Sequence, residues 1–182
     1  MNVLLFEDQR VDQLHPITTG RAAYSISCGA MRLLDLVNER DVRVRAVVRP
    51  HLESIGREDT PELFGPLTGE AATLLLNARL VPGVTTMRQI FQWAQQEVPG
   101  VVRHDDDIAA ALLSRDAPTP AADLRWDQLD DYFRYAGLSS LEAVELPAPL
   151  FEWPHDVVRH HLANLGESLE HRLQKGEYGE IA

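Results

Sequence analysis

The chain's apolar positions follow two rhythms. Val3-Leu4-Leu5-Phe6 is apolar without interruption, so residues 2–6 read as a strand buried on both faces. From Ala23 to Val37, the residues Ile26, Ala30, Leu33, Leu34 and Val37 fall near helical spacing and predict a helix. Val42-Arg43-Val44-Arg45-Ala46-Val47-Val48 alternates and then runs apolar, which predicts a second strand stopped at Arg49-Pro50. Residues 51–70 are punctuated by Pro61, Gly65, Pro66 and Gly69 and read as an irregular excursion. Thr73-Leu74-Leu75-Leu76 is a third strand, running into Asn77-Ala78-Arg79 and a turn at Pro82-Gly83.

The second half keeps the alternation going. Met87, Ile90, Phe91, Ala94 and Val98 share one face of a helix predicted from Thr86 to Val98 and ended by Pro99-Gly100. Residues 101–113 read as a hairpin with His104-Asp105-Asp106-Asp107 at its polar turn, and 117–122 as a loop. A short helix over Trp126 to Ala136 closes at Gly137. The last helix runs from about His155 to Leu173, and its stripe of Val158, Leu162, Leu165, Leu169 and Leu173 suits packing on a sheet or another helix. Strands interleaved with helices predict an α/β fold: a mostly parallel central sheet with helices on both faces, Rossmann-like, over residues 1–175. Residues 176–182 read as a polar tail. In such a sheet the ligand crevice lies beyond the end of the first strand.

Composition narrows the function. A chain of 182 residues, 45% hydrophobic and 25% charged, can bury a real core. Its net charge of -11 argues against nonspecific nucleic-acid binding, which needs clustered cations. No apolar run is long enough to span a bilayer. Cys28 has no second cysteine to pair with, so a reducing cytoplasm is the expected setting. Lys175 is the one lysine, so any phosphate must be met by arginine, backbone amide or metal.

The loop after the first strand, Gln13-Leu14-His15-Pro16-Ile17-Thr18-Thr19-Gly20-Arg21-Ala22, resembles the opening of the sugar nucleotidyltransferases, in particular a divergent branch. Phe6-Glu7-Asp8 matches that branch's acidic strand end, and Leu-x-Pro-hydrophobic-Thr is present at Leu14 to Thr18. Leu76-Asn77-Ala78-Arg79-Leu80-Val81-Pro82 and Phe151-Glu152-Trp153-Pro154-His155-Asp156-Val157-Val158 match two later segments. The resemblance implies a nucleoside triphosphate and a sugar 1-phosphate as partners, joined with release of pyrophosphate and assisted by Mg²⁺. It implies phosphate neutralisation by Arg21 and Arg10, and substrate contacts from Pro16, Thr18, Thr19, Gly20, Asn77 and Arg79. Asp8 is the carboxylate it leaves for the metal. Members of the branch commonly carry a left-handed β-helix, so assembly into a homo-oligomer would run through a module absent from this chain.

The same residues depart from the pattern. No glycine lies between Met1 and Thr19, where backbone N–H groups would approach phosphates. Glu7 and Asp8 place negative charge where a triphosphate would sit. Asn77 stands where active relatives carry a metal-binding Asp, and Asn is a weak ligand for a hard cation. A domain that kept the fold for binding a sugar nucleotide or for assembly is therefore the alternative.

Other clusters read more plainly. His104 to Asp107 fits a solvated hairpin tip better than a metal site, because successive strand residues point to opposite faces. His155, Arg159, His160 and His161 fit a polar helix face, since adjacent helical residues diverge by about 100°. Asp8, Asp12 and His15 fit turn caps better than an acid–base group. Cys28 reads as buried packing, and Arg43 with Arg45 as a solvated sheet edge. Thr18-Thr19-Gly20-Arg21 reads as an anion site at a helix start, with a helix cap and a surface ion pair as the alternative.

Overall fold

The computed structural model describes residues 1–69 and 71–176. Its centre is a five-stranded sheet in the order β2-β1-β3-β5-β4. The strands are β1 (Asn2–Phe6), β2 (Arg43–Val47), β3 (Thr73–Asn77), β4 (Gly100–His104) and β5 (Asp107–Leu113). β1 pairs in parallel with both β2 and β3, while β5 runs antiparallel to β3 and to β4. The sheet is thus mixed: a parallel core of three strands, extended by the expected hairpin.

Uninterrupted apolar runs form β1 and β3 because both of their faces are covered. Val3, Leu5, Leu74 and Leu76 meet one apolar cluster, together with α1 (Leu33–Asn38) and α3 (Val84–Ala94). Leu4, Phe6 and Leu75 meet the other, which includes Leu129 and Tyr132 of α4 (Leu129–Tyr135). Phe133 closes edge-on against Phe6 with ring centroids 4.9 Å apart. Helices therefore lie on both faces, as the α/β reading requires. Gly137, at φ +75°, ends α4 in the left-handed conformation that suits glycine.

Several elements differ from the sequence reading. No continuous helix spans 23–37. A 3₁₀ turn at Ala23–Ser25 is followed by a bridge between Cys28 and Met31, and α1 starts only at Leu33. Gly29, at φ +64°, reverses the chain inside that bridge. A Cβ there would lie 2.7 Å from Ser168 Oγ and 3.2 Å from the Asn164 carbonyl, so Gly29→Ala combines a strained φ with a clash. We expect it to cost about 1–3 kcal/mol, read as a lower denaturation midpoint. A loss below about 0.5 kcal/mol would show that the turn relaxes freely.

Residues 50–59 are not irregular but helical, as α2 (Pro50–Asp59), and Pro61–Phe64 is a 3₁₀ turn. Pro50 takes the first helical turn, where its missing N–H costs nothing. Arg45 is buried rather than solvated, and its guanidinium donates to the carbonyls of Ala121 and Leu124. The long helix α5 (Pro154–Lys175) forms with its leucine stripe turned outward: Val158, Leu162, Leu169 and Leu173 are exposed, while Asp156 and Ser168 are buried. The predicted tail begins at Gly176, and 177–182 lie outside the described residues. No described helix is long and apolar enough to cross a membrane.

Candidate functional site

Parallel register builds the site. Phe6 of β1 lies level with Val47 of β2 and with Asn77 of β3, so the residues after each strand share one end of the sheet. Glu7 and Asp8 leave β1 there, Arg49 leaves β2, and Arg79 leaves β3. The first chain crossover goes to β2 on one side of β1 and the next strand pairs on the other, which makes this end the switch point where open α/β sheets hold ligands.

Glu7 and Arg49 form one group. Glu7 is fully buried and accepts hydrogen bonds from the backbone N–H of Ala23 (2.9 Å), the backbone N–H of Arg49 (3.0 Å) and Arg49 Nε (3.1 Å). The Arg49 guanidinium also donates to the Thr18 carbonyl at 2.7 Å and reaches Asp12 at 3.3 Å. It lies 3.3 Å from His15 Nε2. The pair ties the loop after β1 to the start of α2 from beneath. Glu7 is therefore not an exposed charge facing a triphosphate, because an arginine invisible to the local sequence pattern compensates it.

Asp8, Asn77, Arg79, Asp107 and Arg10 form the second group. Arg79 is fully buried and Asp8 receives its Nε at 2.8 Å and a terminal nitrogen at 2.6 Å. That terminal nitrogen also donates to Asp107 at 2.7 Å, and the other donates to the Phe151 carbonyl at 2.8 Å. Desolvation alone would push the Arg79 pKa down, but the hydrogen bonds and charges of Asp8 and Asp107 hold it above its ordinary value. Asn77 Nδ2 donates to Asp8 at 2.7 Å and to the Ile108 carbonyl at 3.0 Å, while its Oδ1 accepts from the Arg79 N–H at 2.9 Å. Arg10 is half exposed and pairs with Asp107 at 3.2 Å.

This arrangement bears on two expectations. Asn77 and Arg79 do not stand open to a ligand; both are buried and saturated by protein partners. Asp8 is a poor Mg²⁺ ligand as placed: Oδ2 accepts from both Asn77 and Arg79 and Oδ1 from Arg79 Nε, so an ion would compete with a guanidinium already paired to both oxygens. A guanidinium supplies the positive charge at this strand end.

The remaining candidates lie on the loop itself. Thr18 is buried, with its hydroxyl 3.5 Å from the Val11 carbonyl, and Thr19 Oγ1 lies 3.2 Å from His15 Nδ1. Pro16 follows a cis peptide bond. No helix starts at Arg21, so the expected helix-start anion site is absent in that form. Instead Gly20 and Arg21 border a groove of about 240 Å³ with Tyr24, Ser25, Arg32 and Thr60 among its walls. Arg10 faces β5 through Asp107, whereas Arg21 faces α2 across this groove, so the two cations address different sides of the loop.

His104 and Asp105 are joined by Glu152, which lies 47 residues beyond Asp105 and carries no local signal of that neighbourhood. Asp156, nearby on α5, accepts from the backbone N–H groups of Glu152 (3.0 Å) and Trp153 (2.8 Å). Burial opposes its charge, but these donors and Arg159 hold its carboxyl below the usual range. Cys28 is buried and its thiol is pushed up to about 11 by desolvation, which fits the packing role.

The family model described as sugar nucleotidyl transferase matches residues 3–176. A crystal structure at 2.76 Å described as a "Putative Glucose-1-Phosphate Thymidylyltransferase from Bacillus anthracis", in complex with sucrose, superposes with a TM-score of 0.53 at 9% identity, covering 99% of this chain and 98% of that one. At that identity the likeness concerns the fold. No curated protein matches the chain.

Proposed function

This chain belongs to the sugar nucleotidyl transferase family, and from that premise we propose that it binds a nucleoside triphosphate or sugar nucleotide at the β1/β3 strand ends, with nucleotidyl transfer weakened. In the full reaction a sugar 1-phosphate oxygen would attack the α-phosphorus of the triphosphate, and pyrophosphate would leave. That chemistry depends on neutralising charge as it moves onto the leaving phosphates. The observation that carries the proposal is the Asp8–Arg79–Asp107 cluster, in which a buried guanidinium engages both Asp8 oxygens and so competes with any metal ion for that carboxylate. Arg21 is then the exposed guanidinium available to phosphate beside the first loop, and Arg10 could join it by exchanging Asp107 for a phosphate. The same cluster favours the second reading, a domain that binds a sugar nucleotide without turning it over. A cytoplasmic setting, suited to the buried Cys28 thiol, belongs to the same proposal.

Calorimetric titration with UTP, dTTP, CTP, GTP and ATP, with and without Mg²⁺, tests it. The expected result is saturable heat for one nucleotide that persists without Mg²⁺, and slow or undetectable pyrophosphate release with sugar 1-phosphates. Arg21→Ala should weaken that binding by about 1.5–3 kcal/mol if the guanidinium meets a phosphate. Silence from all five triphosphates, and from UDP- and dTDP-glucose titrated in the same way, would overturn the binding role, and fast Mg²⁺-dependent pyrophosphate release would overturn the weakened-transfer reading.

A further inference from the structure

We propose that His104, Asp105 and Glu152 form a site for a divalent transition cation of the Zn²⁺ type. One potential ligand atom from each lies within 4.8 Å of the others. Strand alternation would send neighbouring residues to opposite faces, but it stops at the hairpin turn. Asp105 has φ +51°, a left-handed turn conformation in which that alternation no longer applies. Its carboxylate therefore stays with the His104 imidazole, the last side chain of β4.

Glu152 arrives from a distant part of the chain, and its backbone is held on both sides. The Phe151 N–H donates to the Arg79 carbonyl at 2.8 Å, and the Glu152 N–H donates to Asp156 at 3.0 Å. Asp156 also accepts from the Trp153 N–H at 2.8 Å, which fixes the turn that leads from Glu152 into α5. Among the described residues neither Asp105 nor Glu152 has a lysine or arginine partner. His104 Nε2 lies 3.9 Å from Glu152 Oε1, too far for a hydrogen bond. Two solvent-accessible carboxylates without an arginine or lysine partner thus converge with an imidazole.

The donor set selects the ion. One imidazole nitrogen with two carboxylate oxygens suits Zn²⁺ and its borderline neighbours, whereas Mg²⁺ prefers oxygen throughout. Tetrahedral bonds of about 2.0–2.1 Å place ligand atoms roughly 3.3 Å apart, so modest rotamer changes in partly exposed side chains would close the site. Three protein ligands leave a position for water or a ligand oxygen. His104 pairs in register with Asp107, so the site adjoins the Arg79 cluster without sharing a residue with it. The proposal does not depend on the nucleotide reading.

Titration of the whole chain with Zn²⁺ against a chromogenic chelator tests it, using Co²⁺ as a spectroscopic substitute. We expect one equivalent bound with micromolar or tighter affinity, and at least about tenfold weaker binding in each of His104→Gln and Glu152→Gln. Both positions are partly exposed, and circular dichroism would confirm that the variants fold. X-ray absorption of the Zn²⁺-loaded wild-type chain should show one imidazole among oxygen neighbours. No saturable binding, unchanged affinity in both variants, or a shell of several imidazoles would each overturn the site.

Discussion

Arg79→Met should destabilise the fold by about 3 kcal/mol in urea denaturation. Removing one partner of a buried ion pair typically costs about 3–5 kcal/mol, because the other charge is left uncompensated. Asp8 and Asp107 keep 22% and 16% of their side-chain surface, so water recovers part of that loss and the lower end applies. The Phe151 carbonyl also loses its donor. Adding Asp8→Asn to the variant should restore part of the stability, since one orphaned charge disappears. A loss below about 1 kcal/mol, or no recovery in the double variant, would show that the cluster is not the electrostatic lock its geometry describes.

Glu7→Gln should cost a similar amount, about 3 kcal/mol, through a different loss. Both Glu7 oxygens accept: one from Ala23, the other twice from Arg49. An amide keeps one acceptor and turns an NH₂ group toward one of those donors, leaving unpaired polar groups at a site with no water access. Arg49 would also lose its fully buried carboxylate. The loop of residues 9–22 hangs from this pair, so its amide hydrogen exchange should rise more than that of β3. Equal protection of the loop in both proteins would show that other contacts hold it.

The sequence revealed much of the sheet because strands such as Val3–Phe6 and Leu74–Leu76 are apolar on both faces. Periodicity failed where long-range contacts decide the outcome. Leu33, Leu34 and Val37 do share a helix, but Gly29 adopts a left-handed conformation that no spacing rule detects. α2 escaped notice because Leu52 is its one buried residue, so it carries no apolar stripe. In α5 the period was right but the face was wrong, since Ser168 against Gly29 lies inward and the leucines lie outward. The acidic strand end was legible, but Arg49 and Arg79, the cations that neutralise it, lie far along the chain. Only the parallel register brings them level with Glu7 and Asp8.

That register also matters during synthesis. The ribosome releases β1 first, and both of its edges stay unpaired until β2 and β3 have followed. An unpaired, wholly apolar strand is the kind of segment that recruits other nascent chains. Glu7 and Asp8 stand directly behind it, and until Arg49 and Arg79 emerge their charges are free. On this order the two carboxylates would act first as repulsive guards on an unfinished strand; in the folded chain Glu7 becomes a buried anion sealed by Arg49, and Asp8, partly exposed, pairs with Arg79.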